Sequence, residues 1–472
     1  MSSQPSTSQM ALATISDLPF EILAAIFKLY KSDLVSAREP WSLCELMLVC
    51  RFWKDVALGC EALWTHIVFP APANIVKLAR ERVGKTPLTV SLDRESVFMA
   101  EEDIVATKEV LRNAQCVVLD IYYWQDTVES SGPHDPHTPI TQRIFEHLAE
   151  APQLLEKLDI RAFPGMWCHL LKFASLKKLT IRGGGALAPA FDDLFISPPG
   201  RMERLEELDI FCMGVEGELE MANLLVFPAL RRLKVSGNLL GAVLALNAVD
   251  IGTSQLTHVS LEDVDPWADY TGDDSHVIDA LHRAVPRLIG DEKLKTLELD
   301  FALGWKQLTL RGYTANGPRF AIALPARRGI LDEFALRLPL AGVRTVVASG
   351  GRDIESGVLA AKFLGGPLKH IETLSVRGCT VSWLKGALFG VNFQSNIPSL
   401  ALLELADMEF ADSEAVADVN LLLYVRMNTS ESHLEKLKKL VLVNCCIYDD
   451  QQSHFDKFVE ETQKANSSSV RL

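Results

Sequence analysis

Near its amino terminus the chain carries two runs of apolar residues at helical spacing. The first run begins around Pro19, which suits the first turn of a helix because its missing N–H is not needed there. Asp17 and Glu21 place negative charge at the positive end of the helix dipole. Pro40 interrupts the pattern, and a second run ends near Gly59. The sequence therefore predicts two short helices whose apolar faces are broad enough to contact more than one neighbour.

Further along the chain a different pattern recurs, with the form apolar-x-x-apolar-x-apolar. The last four positions of each copy alternate between apolar and polar residues, as in a β-strand with one buried face. Helical or loop segments fill the spaces, so the pattern predicts stacked units that bury one another's apolar faces in a parallel sheet. The ten copies begin at Leu155, Leu176, Leu205, Leu230, Leu256, Leu294, Val343, Ile371, Leu400 and Leu437.

Segments outside these copies carry signals of their own. Residues 74–82 predict a short helix, and residues 86–92 and 114–124 predict strands. In the widest gap between copies, two alternating runs flank a turn that contains Gly and Asn, which predicts a hairpin insertion. The final residues, 449–472, predict a short cap helix followed by a frayed tail.

Composition and charge indicate which kinds of partner the chain is suited to bind. The chain has 472 residues, of which 48% are hydrophobic, so there is ample material for a core. Lys and Arg together number 47 against 61 Asp and Glu, which gives a net charge of −14. Proteins that bind nucleic acid or anionic membranes need a basic surface to neutralise phosphate groups. We therefore expect protein partners, with no nucleic acid and no membrane.

Cysteine usage points to the cellular compartment. The nine cysteines are odd in number, irregularly spaced and without a C-x-x-C motif. This favours free thiols in a reducing compartment over a disulfide framework or a zinc site. The first residues form a polar tail without the apolar segment of a signal peptide, and no apolar run reaches the roughly 20 residues of a bilayer span. We therefore expect an intracellular protein of the cytoplasm, the nucleus or both.

Three stretches of the amino-terminal segment form a recognisable combination: "LPFEIL" at 18–23, "VCRFW" at 49–53 and the closing "LW" at 63–64. Together they resemble an F-box. The segment is similar in particular to the F-box-like domains abundant in mushroom-forming fungi, although the stretch between Phe27 and Leu43 is longer than the link in many F-boxes. The resemblance implies docking on the Skp adaptor of an SCF (Skp–cullin–F-box) ubiquitin ligase, and through the adaptor on a cullin scaffold.

The F-box resemblance also implies which side chains face the adaptor. Burying an apolar side chain of this size gives about 1.5–3 kcal/mol, so several on one face suffice for a specific interface. The alternative is that the same residues fill an internal helical core and contact no other protein. The positions that match the family's adaptor face are Leu18, Pro19, Ile22, Leu23, Leu46, Val49, Cys50 and Trp53.

The repeated pattern resembles a leucine-rich repeat. The L-x-x-L-x-L core is present, but the Asn/Cys-x-Leu that follows it in the family is mostly lost, and the period is irregular. The resemblance implies an α/β chain, with a small helical F-box followed by an irregular leucine-rich-repeat-like solenoid that has a parallel sheet on its concave face and helices and loops on its convex face. The expected domains are a disordered tail at 1–13, the F-box-like domain at 14–68, a connecting region at 69–150, the solenoid at 151–448, and a cap helix and tail at 449–472.

Polar positions alternate with the apolar positions of each predicted strand and are expected to form the concave surface. Their charges vary in sign from copy to copy, which suits a target protein of mixed charge. The alternative is a face of the sheet that is merely solvated. The candidate target-binding residues are Lys157, Asp159, Arg161, Lys178, Arg182, Glu207, Asp209, Phe211, Arg232 and Lys234.

The sequence offers little sign of catalysis. It lacks the P-loop, H-E-x-x-H and G-x-S-x-G motifs. Residues 181–189 and 346–363 place glycines after a strand, but neither segment has G-x-G-x-x-G spacing, and His134 and His137 lie in a polar, Pro-containing stretch. We expect no enzyme, no metal, no cofactor and no homo-oligomer. The leading hypothesis is an F-box substrate receptor, followed by a non-ligase leucine-rich-repeat scaffold and, third, an enzyme that uses a Gly-rich loop.

Overall fold

The computed structural model is a mixed α/β chain made of two compact units, Met1–Leu176 (unit 1) and Lys177–Leu472 (unit 2). The boundary between the units falls within the region predicted as one solenoid. The predicted tail at 1–13 and the predicted cap helix at 449–472 lie outside the residues that the structure describes. The described residues are 15, 18–36, 44–84, 86–93, 107–120, 154–161, 175–182, 202–212, 225–237, 239–250, 257–263, 278–279, 281–283, 293–301, 307–325, 340–352, 354–389, 397–410, 417 and 437–446.

The amino-terminal part of unit 1 is helical. The carbonyl of Pro19 accepts hydrogen bonds from the backbone N–H groups of Ile22 and Leu23, so Pro19 sits just before the first helix. That helix ends at Ser36, before the interruption predicted at Pro40, and a proline disfavours helical geometry in the residue that precedes it. The helical elements are α1 (Phe20–Ser36), α2 (Leu46–Val49), α3 (Arg51–Gly59), a 3-10 turn (Glu61–Leu63) and α4 (Ala73–Val83).

The second predicted helix is in fact two helices, α2 and α3. Cys50 has an extended backbone between them. Its Sγ accepts a hydrogen bond from the backbone N–H of Trp53 at 3.5 Å, so Cys50 serves as the N-cap of α3. The apolar spacing continues across this break, which is why the sequence pattern predicted a single helix.

A small apolar core joins α1 to α3. The rings of Phe27 and Trp53 meet edge to face, with centroids 5.1 Å apart. The indole N–H of Trp64 donates to the carbonyl of Ala57 at 2.9 Å, which satisfies a buried polar group. These contacts fix the orientation of α1 on α3 and on the turn that leads into the first strand.

Unit 1 also contains four parallel strands that pair in chain order. The predicted helix at 74–82 and the predicted strand at 86–92 are confirmed by α4 and β2, and the strand predicted at 114–124 is confirmed as far as residue 120, the last one described there. The sequence analysis did not predict the first strand, because its four residues follow directly on the apolar residues of the helical segment. The strands are β1 (His66–Phe69), β2 (Leu88–Leu92), β3 (Ala114–Asp120) and β4 (Lys157–Arg161).

Unit 2 is built on a larger sheet. The strands are β5 (Lys178–Arg182), β6 (Glu207–Cys212), β7 (Leu225–Val226), β8 (Arg232–Gly237), β9 (Val249–Asp250), β10 (His258–Asp263), β11 (Thr296–Phe301), β12 (Gln307–Thr314), β13 (Gly317–Pro325), β14 (Thr345–Ser349), β15 (Thr373–Arg377), β16 (Leu402–Ala406) and β17 (Lys439–Val443). Their order in the main sheet is β5-β6-β8-β10-β13-β12-β11-β14-β15-β16-β17, and β7 pairs separately with β9. The described helices are α5 (Leu239–Ala248), α6 (Ile354–Gly365) and α7 (Val381–Phe389). None of the described helices has the length and apolar character to cross a membrane.

Each of the ten predicted copies of the repeated pattern forms a strand, which confirms the sequence prediction at this level. The three apolar positions of a copy point into the core. In the third copy, Leu205, Leu208 and Ile210 are at most 3% exposed. The corresponding described residues of the other copies are buried as well. The pattern therefore encodes which face of each strand is covered.

The predicted hairpin is present as β12 and β13, and it lies inside the sheet. β12 is antiparallel to both β11 and β13, whereas β13 is parallel to β10. The hairpin thus separates two strands that are consecutive copies of the pattern, and the prediction of a parallel sheet is wrong at this place. Pairing both hairpin strands within the sheet avoids exposed strand edges, which would promote aggregation.

A repeated turn follows several strands of unit 2. The N–H of Gly378 donates to the carbonyl of Ala406 at 2.9 Å, and Asp407 makes the equivalent bond one strand further on. The residue at this position has positive φ, which glycine, Asn and Asp tolerate best. The positions are Gly350, Gly378, Asp407 and Asn444.

Two equivalent glycines in this turn should respond differently to substitution. A Cβ at Gly350 would overlap the carbonyl oxygen of Phe301, whereas a Cβ at Gly378 meets open space. We expect Gly350→Asn to lower the free energy of unfolding by about 1–3 kcal/mol. Gly378→Asn should change it by less than about 0.5 kcal/mol, since Asn accepts positive φ. Urea unfolding of both variants tests this, and equal losses would contradict the assignment.

Candidate protein-docking surfaces

Exposed apolar side chains concentrate in one segment of unit 1. Of the ten large apolar side chains that are exposed among the described residues, nine lie between residues 15 and 52. Such a concentration is typical of an interaction site. We call these nine residues the apolar surface. They are Ile15, Phe20, Ile22, Ile26, Leu29, Tyr30, Leu48, Val49 and Phe52.

The first helix shows how the apolar surface arises. Leu23, Ala24 and Phe27 face the inside of unit 1 and are at most 6% exposed. Ile22 and Ile26, one turn apart on another side of α1, are 50% and 41% exposed. A helix that is apolar on more than one side is stable in water only when several neighbours cover it. In this chain α3 covers one side of α1 and leaves another open.

The eight predicted adaptor-facing residues occupy three different environments. Leu23 is fully buried, so it supports the apolar surface from beneath and is not accessible to another protein. The half-buried ones are Leu18, Leu46 and Trp53. The exposed ones are Pro19, Ile22, Val49 and Cys50.

Sequence reasoning did not select several members of the apolar surface. Leu48 is the most exposed of them at 83%, and Leu29 follows at 70%. The width of the apolar stripe on α1 was the signal available, because a helix with apolar residues on most sides cannot bury them all against one partner. The seven residues that sequence reasoning did not select are Ile15, Phe20, Ile26, Leu29, Tyr30, Leu48 and Phe52.

Two basic groups lie behind α1. Lys31 Nζ donates to the carbonyl of Ala62 at 3.1 Å, and burial lowers the pKa of Lys31 to about 8. His66 Nε2 lies 2.7 Å from Ser91 Oγ. Burial, and secondly the positive charge of Lys31, lower the pKa of His66 to about 4. His66 is therefore neutral at pH 7. Of these two basic groups, only Lys31 carries a charge.

A second candidate surface lies on β5, β6 and β8 of unit 2. Lys178, Glu207 and Arg232 are neighbours in the register of these strands. Lys178 Nζ lies 3.0 Å from Glu207 Oε2, and Arg232 Nη2 lies 3.2 Å from Glu207 Oε1. A single carboxylate therefore serves two cations.

The next two rows of the same strands complete this surface. Asp209 pairs in register with Lys234, and both are half-buried. Arg182 pairs in register with Phe211; the arginine is exposed and the phenylalanine is half-buried. The structure thus brings together seven of the ten predicted target-binding residues on three strands.

The other three predicted target-binding residues, Lys157, Asp159 and Arg161, lie on β4 in unit 1. Lys157 is exposed and Asp159 is half-buried. The structure describes only the backbone of Arg161. The spacing of two along β4 places Lys157 and Asp159 on one face of that strand.

A polar cluster on β11, β12 and β14 is paired internally. The hydroxyl of Tyr313 donates to Glu298 Oε2 at 2.8 Å, and Arg311 Nη2 lies 3.3 Å from Asp300 Oδ2. Ser349 Oγ donates to Asp300 Oδ1 at 3.2 Å. Desolvation, and then the hydrogen bond to Glu298, raise the pKa of Tyr313. These contacts stabilise the inserted hairpin against the neighbouring strands.

Close packing accounts for the glycines between β14 and α6, which the sequence analysis considered as a cofactor loop. A Cβ at Gly350 would overlap the carbonyl oxygen of Phe301, and one at Gly351 would overlap the indole of Trp383. The N–H of Thr380 donates to the carbonyl of Gly351 at 2.9 Å. Within the part of the chain that the structure describes, no group of three His, Cys, Asp or Glu residues is placed to hold a metal ion. The segment 183–189 and residues His134 and His137 lie outside the described residues.

Neighbouring residues on α1 should separate stability from surface exposure. Leu23→Ala removes a fully buried side chain, and we expect it to lower the free energy of unfolding by about 2–5 kcal/mol. Ile22→Ala trims a half-exposed side chain, and we expect a change of less than about 0.5 kcal/mol. Urea unfolding followed by tryptophan fluorescence measures both. Equal destabilisation would show that Ile22 also belongs to the core.

The lowered pKa of His66 predicts how the stability of the folded chain depends on pH. The ordinary pKa of 6.5 applies in the unfolded chain and about 4 in the folded one, so the unfolded chain binds more protons between these values. The contribution of neutral His66 to the free energy of unfolding should be fully present above pH 6.5. It should decrease as the pH drops towards 4. His66→Gln should flatten this part of a plot of unfolding free energy against pH. Parallel plots for the variant and the parent chain would argue against the assignment.

Comparison with known proteins bears on unit 1. Residues 15–70 match the family model of the F-box-like domain, close to the predicted bounds of 14–68. The match contains every member of the apolar surface and ends just after β1. No curated protein matches the chain. The prediction of an F-box-like domain is confirmed, while the leucine-rich repeats remain a prediction, and the chain carries an F-box-like domain at residues 15–70.

Proposed function

We propose that this chain is a substrate-recognition subunit of an SCF-type E3 ubiquitin ligase. The F-box-like domain docks on a Skp-type adaptor, and through the adaptor on a cullin scaffold. The sheet-bearing remainder binds a target protein. The observation that carries the proposal is the apolar surface, because it lies within the segment that matches the F-box-like family.

The energetics of the apolar surface support a protein interface. Complete burial of one large apolar side chain contributes about 1.5–3 kcal/mol, and a side chain that is already half-covered contributes proportionally less. Leu48, Leu29 and Val49 are the most exposed members and have the most to gain. A few such side chains at the centre of an interface supply most of its binding energy. The surface is therefore large enough for a specific complex without charged contacts.

The repeated strands support the target-binding role. The described apolar positions of every copy are buried, and a turn of positive φ follows several of the strands, as expected of degenerate leucine-rich repeats. Repeats of this kind present one face of a long sheet to a protein partner. The candidate target-binding residues on β5, β6 and β8 belong to such a face.

On this proposal the chain supplies no reacting group. A substrate receptor accelerates ubiquitin transfer by holding the target close to the charged ubiquitin carrier, which raises the effective concentration of the reactants. No cofactor and no metal is needed for that role. The described cysteines are free thiols, which agrees with a reducing compartment and hence with the cytoplasm or the nucleus.

The alternative is a leucine-rich-repeat interaction scaffold outside any ligase, in which the F-box-like helices only cap the repeats. The observation in its favour is that these helices have a core of their own, with Leu23, Phe27 and Trp64 buried. A capping role involves only the covered side of α1 and assigns no partner to the exposed apolar side. The two functions therefore differ in whether the apolar surface binds an adaptor.

Capture of a purified Skp-type adaptor by the full chain tests the proposal. We expect Ile22→Asp and Val49→Asp each to weaken capture roughly tenfold or more, because a carboxylate would have to be buried in the interface. Both residues are exposed, so the variants should fold like the parent chain. Quantitative pull-down at several adaptor concentrations gives the affinities.

Leu154→Asp is the matched control for these variants. Leu154 is an exposed apolar residue of unit 1 at 54%, outside the F-box-like segment, so its replacement makes the same chemical change elsewhere. We expect it to capture the adaptor like the parent chain. Failure of the parent chain to capture the adaptor, or undiminished capture by both Ile22→Asp and Val49→Asp, would favour the scaffold.

A further inference from the structure

The face formed by β5, β6 and β8 differs in charge from the rest of the chain. The described outward side chains of these strands include four cations and two carboxylates, whereas the whole chain has a net charge of −14. We call this set the basic face. It consists of Lys178, Arg182, Glu207, Asp209, Phe211, Arg232 and Lys234.

The ion pairs on the basic face leave positive charge accessible. Lys178 and Arg232 share the carboxylate of Glu207, so three charged groups keep a net charge of one cation. The side chain of Glu207 is 29% exposed, against 47% for Lys178 and 66% for Arg232. The acid is thus the covered member of the cluster, and the cations are turned to solvent. Exposed ion pairs of this kind are weak and can exchange partners at little cost.

An aromatic side chain lies beside the remaining exposed cation. Phe211 lies between Arg182 and Ser236 in the register of the three strands, and it is half-buried. An accessible aromatic ring next to a guanidinium can hold an apolar side chain while the cation pairs with a carboxylate. Aromatic residues and arginine are enriched at the centres of protein interfaces for this reason.

Other strands of the same unit carry fewer outward charges. The outward residues Val347, Leu402, Val441 and Val443 on β14, β16 and β17 are uncharged and half-buried. The outward charged residues of β15 to β17 are Arg377, Glu404 and Lys439, and Arg377 is paired with Glu404. On β11 the acidic outward residues Glu298 and Asp300 are already paired with β12 and β14, as described above. Positive charge is therefore denser on β5, β6 and β8 than on these strands.

We infer that the basic face binds an acidic, extended segment of the target protein, with carboxylates on Arg182, Arg232 and Lys178 and an apolar side chain against Phe211. This inference rests on the proposed role of the chain as a substrate receptor and names the class of segment that it recognises. Complementary charge gives such a contact its specificity and its rate of association. The acidic remainder of the chain repels the same segment from other places, which confines it to this face.

Fluorescence anisotropy with the full chain tests the inference. The probe is a fluorescein-labelled peptide of alternating Glu and Ser that carries one Leu, and the comparison probes are its Lys-for-Glu counterpart and a single-stranded DNA. We expect binding of the acidic peptide alone, weakening as salt screens the charges. Arg182→Glu and Arg232→Glu should each weaken it roughly tenfold, and Arg182→Lys should retain most of the affinity.

Arg377→Glu is the matched control, because Arg377 lies on the same unit, is 55% exposed and is also paired with a glutamate, Glu404. It should bind the acidic peptide like the parent chain. Equal weakening by Arg377→Glu, absence of acidic-peptide binding at low salt, or preference for DNA would each overturn the inference. Adaptor capture is measured on the same proteins. Lost peptide binding with intact capture rejects the basic face only, whereas lost capture with intact peptide binding rejects the ligase role only.

Discussion

Burial of the described apolar positions of the repeated pattern is the constraint on which the sheet of unit 2 depends. A five-residue strand cannot cover its own inward face, so each strand is stable only when the next one and the segments behind it complete the core. Backbone hydrogen bonds repeat with the strands: the N–H of Glu372 donates to Arg344, and that of Ala401 donates to Glu372. A slip of one residue would turn the apolar set to solvent, so the register is fixed. The polar set is thereby forced onto the opposite face.

Unit 1 is also rich in apolar residues, but its helical part cannot bury all of them. A helical domain of about fifty residues has too little interior to bury every large side chain that it carries. Leu23 and Phe27 on α1 face α3 and the turn before β1 and hold the domain together, while Ile22 and Ile26 stay exposed. One helix thus has a buried side that stabilises the domain and an exposed apolar side, which the proposed function assigns to docking. Adjacent residues of α1 differ in this way because they point in different directions.

The distribution of charge depends on the same division of each element into a buried and an exposed face. The net charge of −14 describes the chain as a whole, but strand pairing gathers Lys178, Arg182 and Arg232 on neighbouring strands although they lie far apart in sequence. Glu207 lies among them and is shared between two of them. An acidic protein can therefore present a local basic face, and local charge rather than net charge decides what docks on such a face. The apolar surface and the basic face differ accordingly in the chemistry of the partner that each suits.

The sequence by itself determined the local structure wherever an apolar period was strong. It located all ten repeated strands, the inserted hairpin and the F-box-like segment, because alternation and helical spacing directly reflect which side of an element is buried. It did not determine the break at Cys50, the place of the hairpin within the sheet, or the environment of Leu23 as opposed to Ile22. The positive φ at Gly350, Gly378, Asp407 and Asn444 was also hidden, because the residue type differs from one turn to the next. These features depend on which neighbours an element meets, and contacts between residues distant in the chain leave no period in the sequence; only the tertiary structure decides them.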